Sequence, residues 1–298
     1  VITNGRTPAV WDEAGVARVL RYETLIPAME RALIDFSAGD VTQPVRTLVR
    51  AAHGLLGIMP AVYGDIMGAK LVTVFPDNPA RGIPGHQAVI QLFDTATGSP
   101  LATIDGRLIT EMRTAAVTAV AVDRLAPPDA GILAVFGSGV QARAHVAALR
   151  VVRPFADVRI WARAPDRAAA LAREVGGTAM DAERAADGAD VVVTATHAAE
   201  PVLHGAWLSA STLVAAVGAV GATRRELDAE AVRGPVFVDS REAAAVEAGD
   251  LLLAGVTPYA ELGEFLAGRV PRPTGGPIVF KSLGLAIEDI AAARLLLA

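Results

Sequence analysis

From Ile132 to Lys281 the chain keeps returning to one pattern: a short, mostly apolar run followed by a turn. The runs are Ile132–Phe136, residues 158–161, Val191–Thr194, Leu213–Ala216, Val236–Val238 and Ile278–Lys281. Residues 140–151 and Pro165–Val175, which follow the first two, carry helical spacing. A strand that is apolar at every position has both faces buried, and alternation with helices is how a parallel, doubly wound sheet covers itself. This pattern confines the second half of the chain to the α/β class.

The first third reads differently. Residues 22–36 place Leu25, Ile26, Met29, Leu33 and Phe36 on one helical face, and Gly39 supplies a stop. Short β-type runs follow at 45–49, 55–59, 70–75, 88–93 and 101–104, the last two flanking a hairpin loop at 94–98. Strands joined by short loops predict a largely antiparallel sheet. A helix is expected over 114–125, stopped by Ala126-Pro127-Pro128. The length of 298 residues suits two domains at ~150 residues each, and a 52% hydrophobic content supplies their cores. The expected architecture is therefore a doubly wound parallel sheet beside a mixed α+β domain.

Composition removes several function classes. The net charge is −5 and the basic residues are scattered, so no nucleic-acid surface is expected. Of 27 basic residues only Lys70 and Lys281 are lysines, which reads as a compositional bias toward arginine. There is no cysteine, hence no disulfide frame and no thiolate nucleophile or ligand. The five histidines show no H-x-x-x-H pairing, and no metal site is expected. The first eight residues show no secretory leader, and no apolar run approaches the ~20 residues that span a bilayer. A cytoplasmic protein without membrane partners is expected.

Gly137-Ser138-Gly139-Val140-Gln141-Ala142 falls between an apolar run and a helix. That is the setting in which a G-x-G-x-x-[G/A] motif binds a dinucleotide, and it makes the parallel domain Rossmann-type. The first glycine allows the tight turn, the second admits the pyrophosphate, and the small third residue lets helix and strand pack. The phosphates would rest on the N-terminus of the following helix. An acidic residue usually ends the second strand to accept a ribose hydroxyl; here Arg163 stands next to that position. Arginine pairs with a 2′-phosphate, so NADP(H) is the preferred cofactor, while Asp166 leaves NAD(H) open.

Arg46, Lys70 and Arg113 lie on apolar elements and suit capture of a carboxylate. Each taken singly also reads as a cation whose stem lies along apolar surface. Asp239 follows Val236–Val238 directly, where open α/β sheets place ligands. It reads equally as the N-cap of a helix starting at Arg241.

The chain resembles the ornithine cyclodeaminase/mu-crystallin family. The resemblance is carried in order by Gly68-Ala-Lys-Leu-Val, Phe75-Pro-Asp-Asn-Pro, Gly82-Ile-Pro-Gly-His-Gln and Leu92-Phe-Asp with Thr97-Gly. It continues through Thr110-Glu-Met-Arg-Thr-Ala-Ala, the glycine motif, Val236-Phe-Val-Asp-Ser, Glu247-Ala-Gly-Asp and Phe280-Lys-Ser-Leu-Gly-Leu-Ala-Ile-Glu-Asp. No one motif decides, but the ordered set is specific and spans nearly the whole chain. The resemblance implies a homodimer of two-domain subunits. Residues 1–113 with 285–298 would bind substrate and dimerise, and 114–284 would form the dinucleotide domain. It further implies that Arg46, Lys70 and Arg113 bind a substrate carboxylate, with Lys70 also catalytic. Asp239 would be the catalytic aspartate beside the substrate nitrogen. Thr194, Ala195, Thr196, Val217 and Gly218 would line the nicotinamide pocket, and Ser282, Leu283 and Gly284 would return to the same crevice, with Gly284 at the substrate.

Within that family, hydride transfer between C2 of an amino acid and a nicotinamide serves three outcomes. A ketimine reductase takes Δ1-pyrroline-2-carboxylate or Δ1-piperideine-2-carboxylate to L-proline or L-pipecolate. An ornithine cyclodeaminase returns the hydride after ring closure and ammonia loss, and an alanine dehydrogenase hydrolyses the imine. Arg163 and the short C-terminal portion favour the reductase. A non-enzymatic protein binding NADPH and a small molecule is the remaining alternative.

Overall fold

The computed structural model describes residues 7–297. The segment read above for a leader falls mainly on residues 1–6, outside the described residues. The elements run β1 (Ala9–Trp11), α1 (Glu13–Val19), α2 (Tyr22–Ala38), β2 (Val41–Thr42), β3 (Thr47–Ala51), β4 (Gly54–Tyr63), β5 (Ile66–Val74), β6 (His86–Asp94), β7 (Pro100–Asp105) and α3 (Arg107–Leu125). They continue with β8 (Ile132–Phe136), α4 (Val140–Val152), β9 (Asp157–Trp161), α5 (Pro165–Val175), β10 (Thr178–Ala179), α6 (Ala182–Ala186), β11 (Val191–Thr194) and β12 (Leu213–Ala216). The last are β13 (Val236–Val238), α7 (Arg241–Glu247), α8 (Gly249–Leu252), β14 (Ala260–Glu261), α9 (Leu262–Leu266), β15 (Ile278–Lys281) and α10 (Ala286–Arg294). They form two compact units, one ending at Arg113 and resuming at Gly284, the other Thr114–Leu283.

The first unit carries a seven-stranded sheet in the order β1-β7-β6-β5-β4-β2, with β3 also on β4. Its pairs are antiparallel except β1 beside β7. Because strand side chains alternate, one face collects Met59, Lys70, Ile90 and Ile104 as cross-strand neighbours. Helix α10 packs across β4, β5 and β6 and against α2. It is apolar nearly all round and buried from Ala286 to Ala293, as such a helix must be. The opposite face of the sheet leaves Val49, Val62, Leu71 and Val89 at least 40% exposed.

Two boundaries depart from the sequence reading. β4 continues to Tyr63 through Pro60, where a proline suggests an end. Pro60 falls where β3 has ended at Ile58 and β2 has not begun until Val62, so that edge asks no hydrogen bond of its nitrogen. Helix α3 starts at Arg107 rather than 114, because Asp105 Oδ1 accepts the Arg107 N–H at 2.9 Å and satisfies the helix start. Arg113 therefore lies in the second turn of α3, not at its beginning.

The second unit carries eight strands in the order β10-β9-β8-β11-β12-β15-β13-β14, all parallel. β8, β11, β12, β13 and β15 are buried almost throughout, which explains their mostly apolar sequences. The chain runs outward from β8 to β9 and β10, then returns to the other side of β8 as β11. The order thus reverses between β8 and β11, the point at which such sheets open a ligand crevice outside their C-terminal ends. No helix among the described residues is long and apolar enough to cross a membrane.

Candidate active site

The first unit assembles a buried cluster of charges. Lys70, 2% exposed, sits in the apolar row of β5, with its Nζ 2.6 Å from Asp289 Oδ2 and 3.5 Å from Thr110 Oγ1. The other Asp289 oxygen accepts Arg113 Nε at 3.0 Å, and Arg113 Nη1 donates to Glu288 Oε2 at 2.6 Å. Arg46 Nη2 donates to the Gly284 carbonyl at 2.9 Å. Gly284 has φ +80°, and a Cβ there would stand 2.5 Å from Arg113 Nη1. A glycine is required on both counts. Arg46, Lys70, Arg113 and Gly284 are therefore brought together.

Sequence reasoning assigned nothing to Glu288 and Asp289. Their signal was two adjacent acids in an otherwise apolar helix. Both are fully buried in α10, where an unpaired carboxylate would be costly, and Lys70 and Arg113 compensate them. Three cations thus stand in one cluster with these two acids, a set of donors that suits a carboxylate.

Burial drives the Lys70 ammonium down to about 8, with Arg113 adding to the effect and Asp289 holding it up. Burial opposes the Arg113 charge too, but Asp289 and Glu288 outweigh it and its pKa is raised. Burial works to raise Asp289, yet Arg113 and Lys70 hold it below the usual carboxylate range. His86, at the head of β6, is pushed to about 4 by burial and then by Lys70 and Arg113. It is neutral near pH 7 and adds no charge to the cluster.

In the second unit the parallel strands bring the remaining candidates to one edge. Gly137 follows β8, Arg163 follows β9, Thr194 ends β11, Val217 follows β12, Asp239 follows β13 and Ser282 follows β15. Gly137 has φ +136°, and a Cβ there would stand 2.6 Å from the Ala195 carbonyl and 3.7 Å from Ala142 Cβ. The first glycine and the small third residue are thus demanded by close packing. Gly139 is the N-cap of α4 with no side-chain cap bond, and a Cβ on it would meet nothing within 4 Å. Space lies open in front of the α4 N-terminus, flanked by half-buried Ser138 and exposed Val140. Thr194 Oγ1 and Gln141 Oε1 are buried polar atoms with no hydrogen-bond partner in the protein. An open glycine cradle, a free helix start and two orphaned polar atoms fit a dinucleotide. Arg163 and Asp166 are both exposed beyond β9, Asp166 in the first turn of α5.

Asp239 is fully buried. Its Oδ1 accepts Ser240 N–H at 3.0 Å, and its Oδ2 accepts Leu283 N–H at 2.6 Å and Ser282 Oγ–H at 3.4 Å. The N-cap of α7 is Ser240, which accepts Ala243 N–H at 3.2 Å. Of the two readings left open, helix capping therefore falls to the neighbouring serine.

The chain is 43% identical to the ketimine reductase mu-crystallin of Mus musculus, over 97% of this chain and 96% of that protein. It is 36% identical to a Δ1-pyrroline-2-carboxylate/Δ1-piperideine-2-carboxylate reductase of Azospirillum brasilense, over 96% of this chain and 94% of that one. Its fold matches the Thermococcus litoralis Δ1-pyrroline-2-carboxylate reductase solved with NADH and L-proline. That match has a TM-score of 0.90 at 33% identity and covers 97% of this chain and 96% of that one. The family model matches residues 7–297, and the chain belongs to the ornithine cyclodeaminase/mu-crystallin family.

Proposed function

We propose that this protein reduces a cyclic imino acid, Δ1-pyrroline-2-carboxylate or Δ1-piperideine-2-carboxylate, to L-proline or L-pipecolate with NAD(P)H. The observation that carries the reading is the buried cluster of Lys70 and Arg113, with Arg46 beside it. The named activities of the mouse, Azospirillum and Thermococcus relatives support it.

The residues divide the work. Arg113, its plane fixed by Asp289 and Glu288, offers its remaining guanidinium N–H groups and Arg46 a second guanidinium for the substrate carboxylate. Fixing that carboxylate orients the ring and its C=N bond, so much of the rate enhancement is positioning. The reduced nicotinamide, when bound, supplies the hydride that goes to C2. The nitrogen gains one proton, and Lys70 supplies it: an ammonium with a pKa near 8 is charged at neutral pH yet gives up its proton readily. Asp239 is assigned to steadying positive charge on that nitrogen. Its oxygens already accept from Ser240, Leu283 and Ser282, which leaves proton transfer to Lys70.

Gly137 to Ala142 would hold the pyrophosphate on the start of α4. Thr194 to Thr196, with Val217 and Gly218, would line the nicotinamide pocket, where Thr194 Oγ1 still has a bond to make. We assign the preference to NADPH, because Arg163 is exposed beyond β9, where a 2′-phosphate would stand. We also assign the exposed apolar sheet face of Val49, Val62, Leu71 and Val89 to a homodimer, since faces of this kind mark interfaces.

The test measures loss of NADPH and NADH absorbance with each imino acid, beside ammonia release from L-ornithine. Imine-dependent oxidation without ammonia release is expected, with the better substrate fixing ring size. Ammonia and proline from ornithine, without net cofactor oxidation, would overturn the reductase in favour of a cyclodeaminase.

A further inference from the structure

A second buried charge network, apart from the substrate cations, lies at the C-terminal edge of the parallel sheet. Glu226 is fully buried. Its Oε1 accepts Thr196 N–H at 2.6 Å and Thr196 Oγ–H at 2.7 Å. Its Oε2 accepts Gly218 N–H at 2.8 Å and Ala219 N–H at 3.0 Å. One side chain thus ties together the two segments that leave the adjacent strands β11 and β12. A Cβ on Gly218 would overlap the Thr196 backbone and Glu226 Oε1, so the clamp also dictates the glycine.

The clamp is itself locked. Asp250 Oδ1 accepts the N–H groups of Glu226 and Leu227 at 2.7 and 2.9 Å. Asp250 Oδ2 pairs with Lys281 Nζ at 3.0 Å, and Lys281 Nζ donates to the Ala219 carbonyl at 2.5 Å. The bonds close a ring from Glu226 through Ala219, Lys281 and Asp250 back to Glu226. Both Glu226 oxygens, Asp250 Oδ1 and Lys281 Nζ have hydrogen-bond partners, Asp250 Oδ2 meets Lys281 as an ion pair, and such a network rigidifies what it holds.

We propose that Glu226 is a positioning residue for the nicotinamide end of the cofactor, holding the Thr196 and Gly218–Ala219 segments in the conformation that receives that ring. The proposal rests on the dinucleotide reading given above. It assigns Glu226 no contact with substrate or cofactor; the residue acts through two backbone segments. The adenine and pyrophosphate end is assigned to the glycine turn and the start of α4, on which none of the ring's hydrogen bonds given above falls. The two ends of the cofactor should therefore respond separately.

Glu226→Gln keeps the shape but replaces one accepting oxygen by a donating amide. Whichever way the amide turns, it faces N–H or O–H donors it cannot accept. In the full-length protein, affinity is measured for NADH and for ADP-ribose, which lacks only the nicotinamide, together with thermal stability and imine turnover. The variant is expected to bind ADP-ribose as the parent does, while NADH affinity and kcat drop by about tenfold to a hundredfold, the scale of a small misplacement at a reacting centre. Equal loss of both ligands, or loss of neither, overturns the proposal, whatever happens to the melting temperature. If Glu226→Gln does not fold, Asp250→Asn carries the test: it keeps an acceptor for the Glu226 N–H but breaks the charge pair with Lys281. It should shift NADH alone, in the same direction and by less. A parent protein that binds no NADH overturns the dinucleotide reading and the proposal with it. A parent that binds NADH but reduces no cyclic imine overturns only the substrate, and the affinity comparison still decides.

Discussion

The chain has two lysines among its 27 basic residues, and both are buried, one in each unit. Lys281 belongs to a closed ring, meeting the Ala219 carbonyl and Asp250, whose other oxygen takes two backbone N–H groups. Lys70 belongs to a different cluster, in which it shares Asp289 with Arg113, Glu288 pairs with Arg113, and Arg46 stands near. Burial of a charge is tolerated only when it is compensated. The ring compensates its lysine fully from within and so holds backbone in place. The cluster gathers its cations at the place we assign to the substrate carboxylate.

Exchanging each lysine for methionine breaks this comparison most forcefully. Lys70→Met should lower kcat/KM for the imino acid by about a hundredfold to ten-thousandfold, the range of general acid catalysis, yet leave a folded protein because Arg113 still pairs with Asp289. Lys281→Met strands Asp250 Oδ2 and should cost about 3–5 kcal/mol in denaturant unfolding. If Lys70→Met unfolds the protein while Lys281→Met is merely slow, the two networks have been assigned the wrong way round. The same lysine gives a pH signature. The ammonium is present below its pKa of about 8 and lost above it, so kcat/KM should fall as pH rises through 8. A flat profile from pH 7 to 9 would remove Lys70 as proton donor.

Arg113→Lys sharpens the point, since it keeps the charge and loses the fork that spans Glu288 and Asp289. L-Proline affinity, followed by titration calorimetry, should fall by about tenfold to a hundredfold, as for loss of one charge-assisted hydrogen bond. Asp239→Asn should leave NADH affinity intact and slow turnover by about tenfold or more. Unchanged turnover would confine Asp239 to holding Ser282 and Leu283. The smallest effect expected is that of Arg163→Ala, which should weaken NADPH by about tenfold and NADH hardly at all. Equal effects on both would make that arginine a bystander.

Much of the second unit was legible because its signals are local. A mostly apolar run such as Val191–Thr194 and a glycine turn such as Gly137–Gly139 state their own backbone requirements within a few residues. The antiparallel first unit was less so: Pro60 broke the β4 pattern, and the start of α3 depended on a cap from Asp105. The cations Arg46, Lys70 and Arg113 stood out by chemistry, but as three separate candidates.

By itself, then, the sequence determined the strand and helix pattern, the glycine turn and the identity of the cations, because periodicity and residue type act over short stretches of chain. Only the tertiary structure decided which charges meet. The register of β5 places Lys70 in the covered row, and α10, far along the chain, brings Glu288 and Asp289 to it. Glu226 bonds to Thr196, thirty residues before it, through a fold no local pattern announces. Which partners a buried charge meets is set by residues distant in sequence, and electrostatics in a dry interior depend on distance in space.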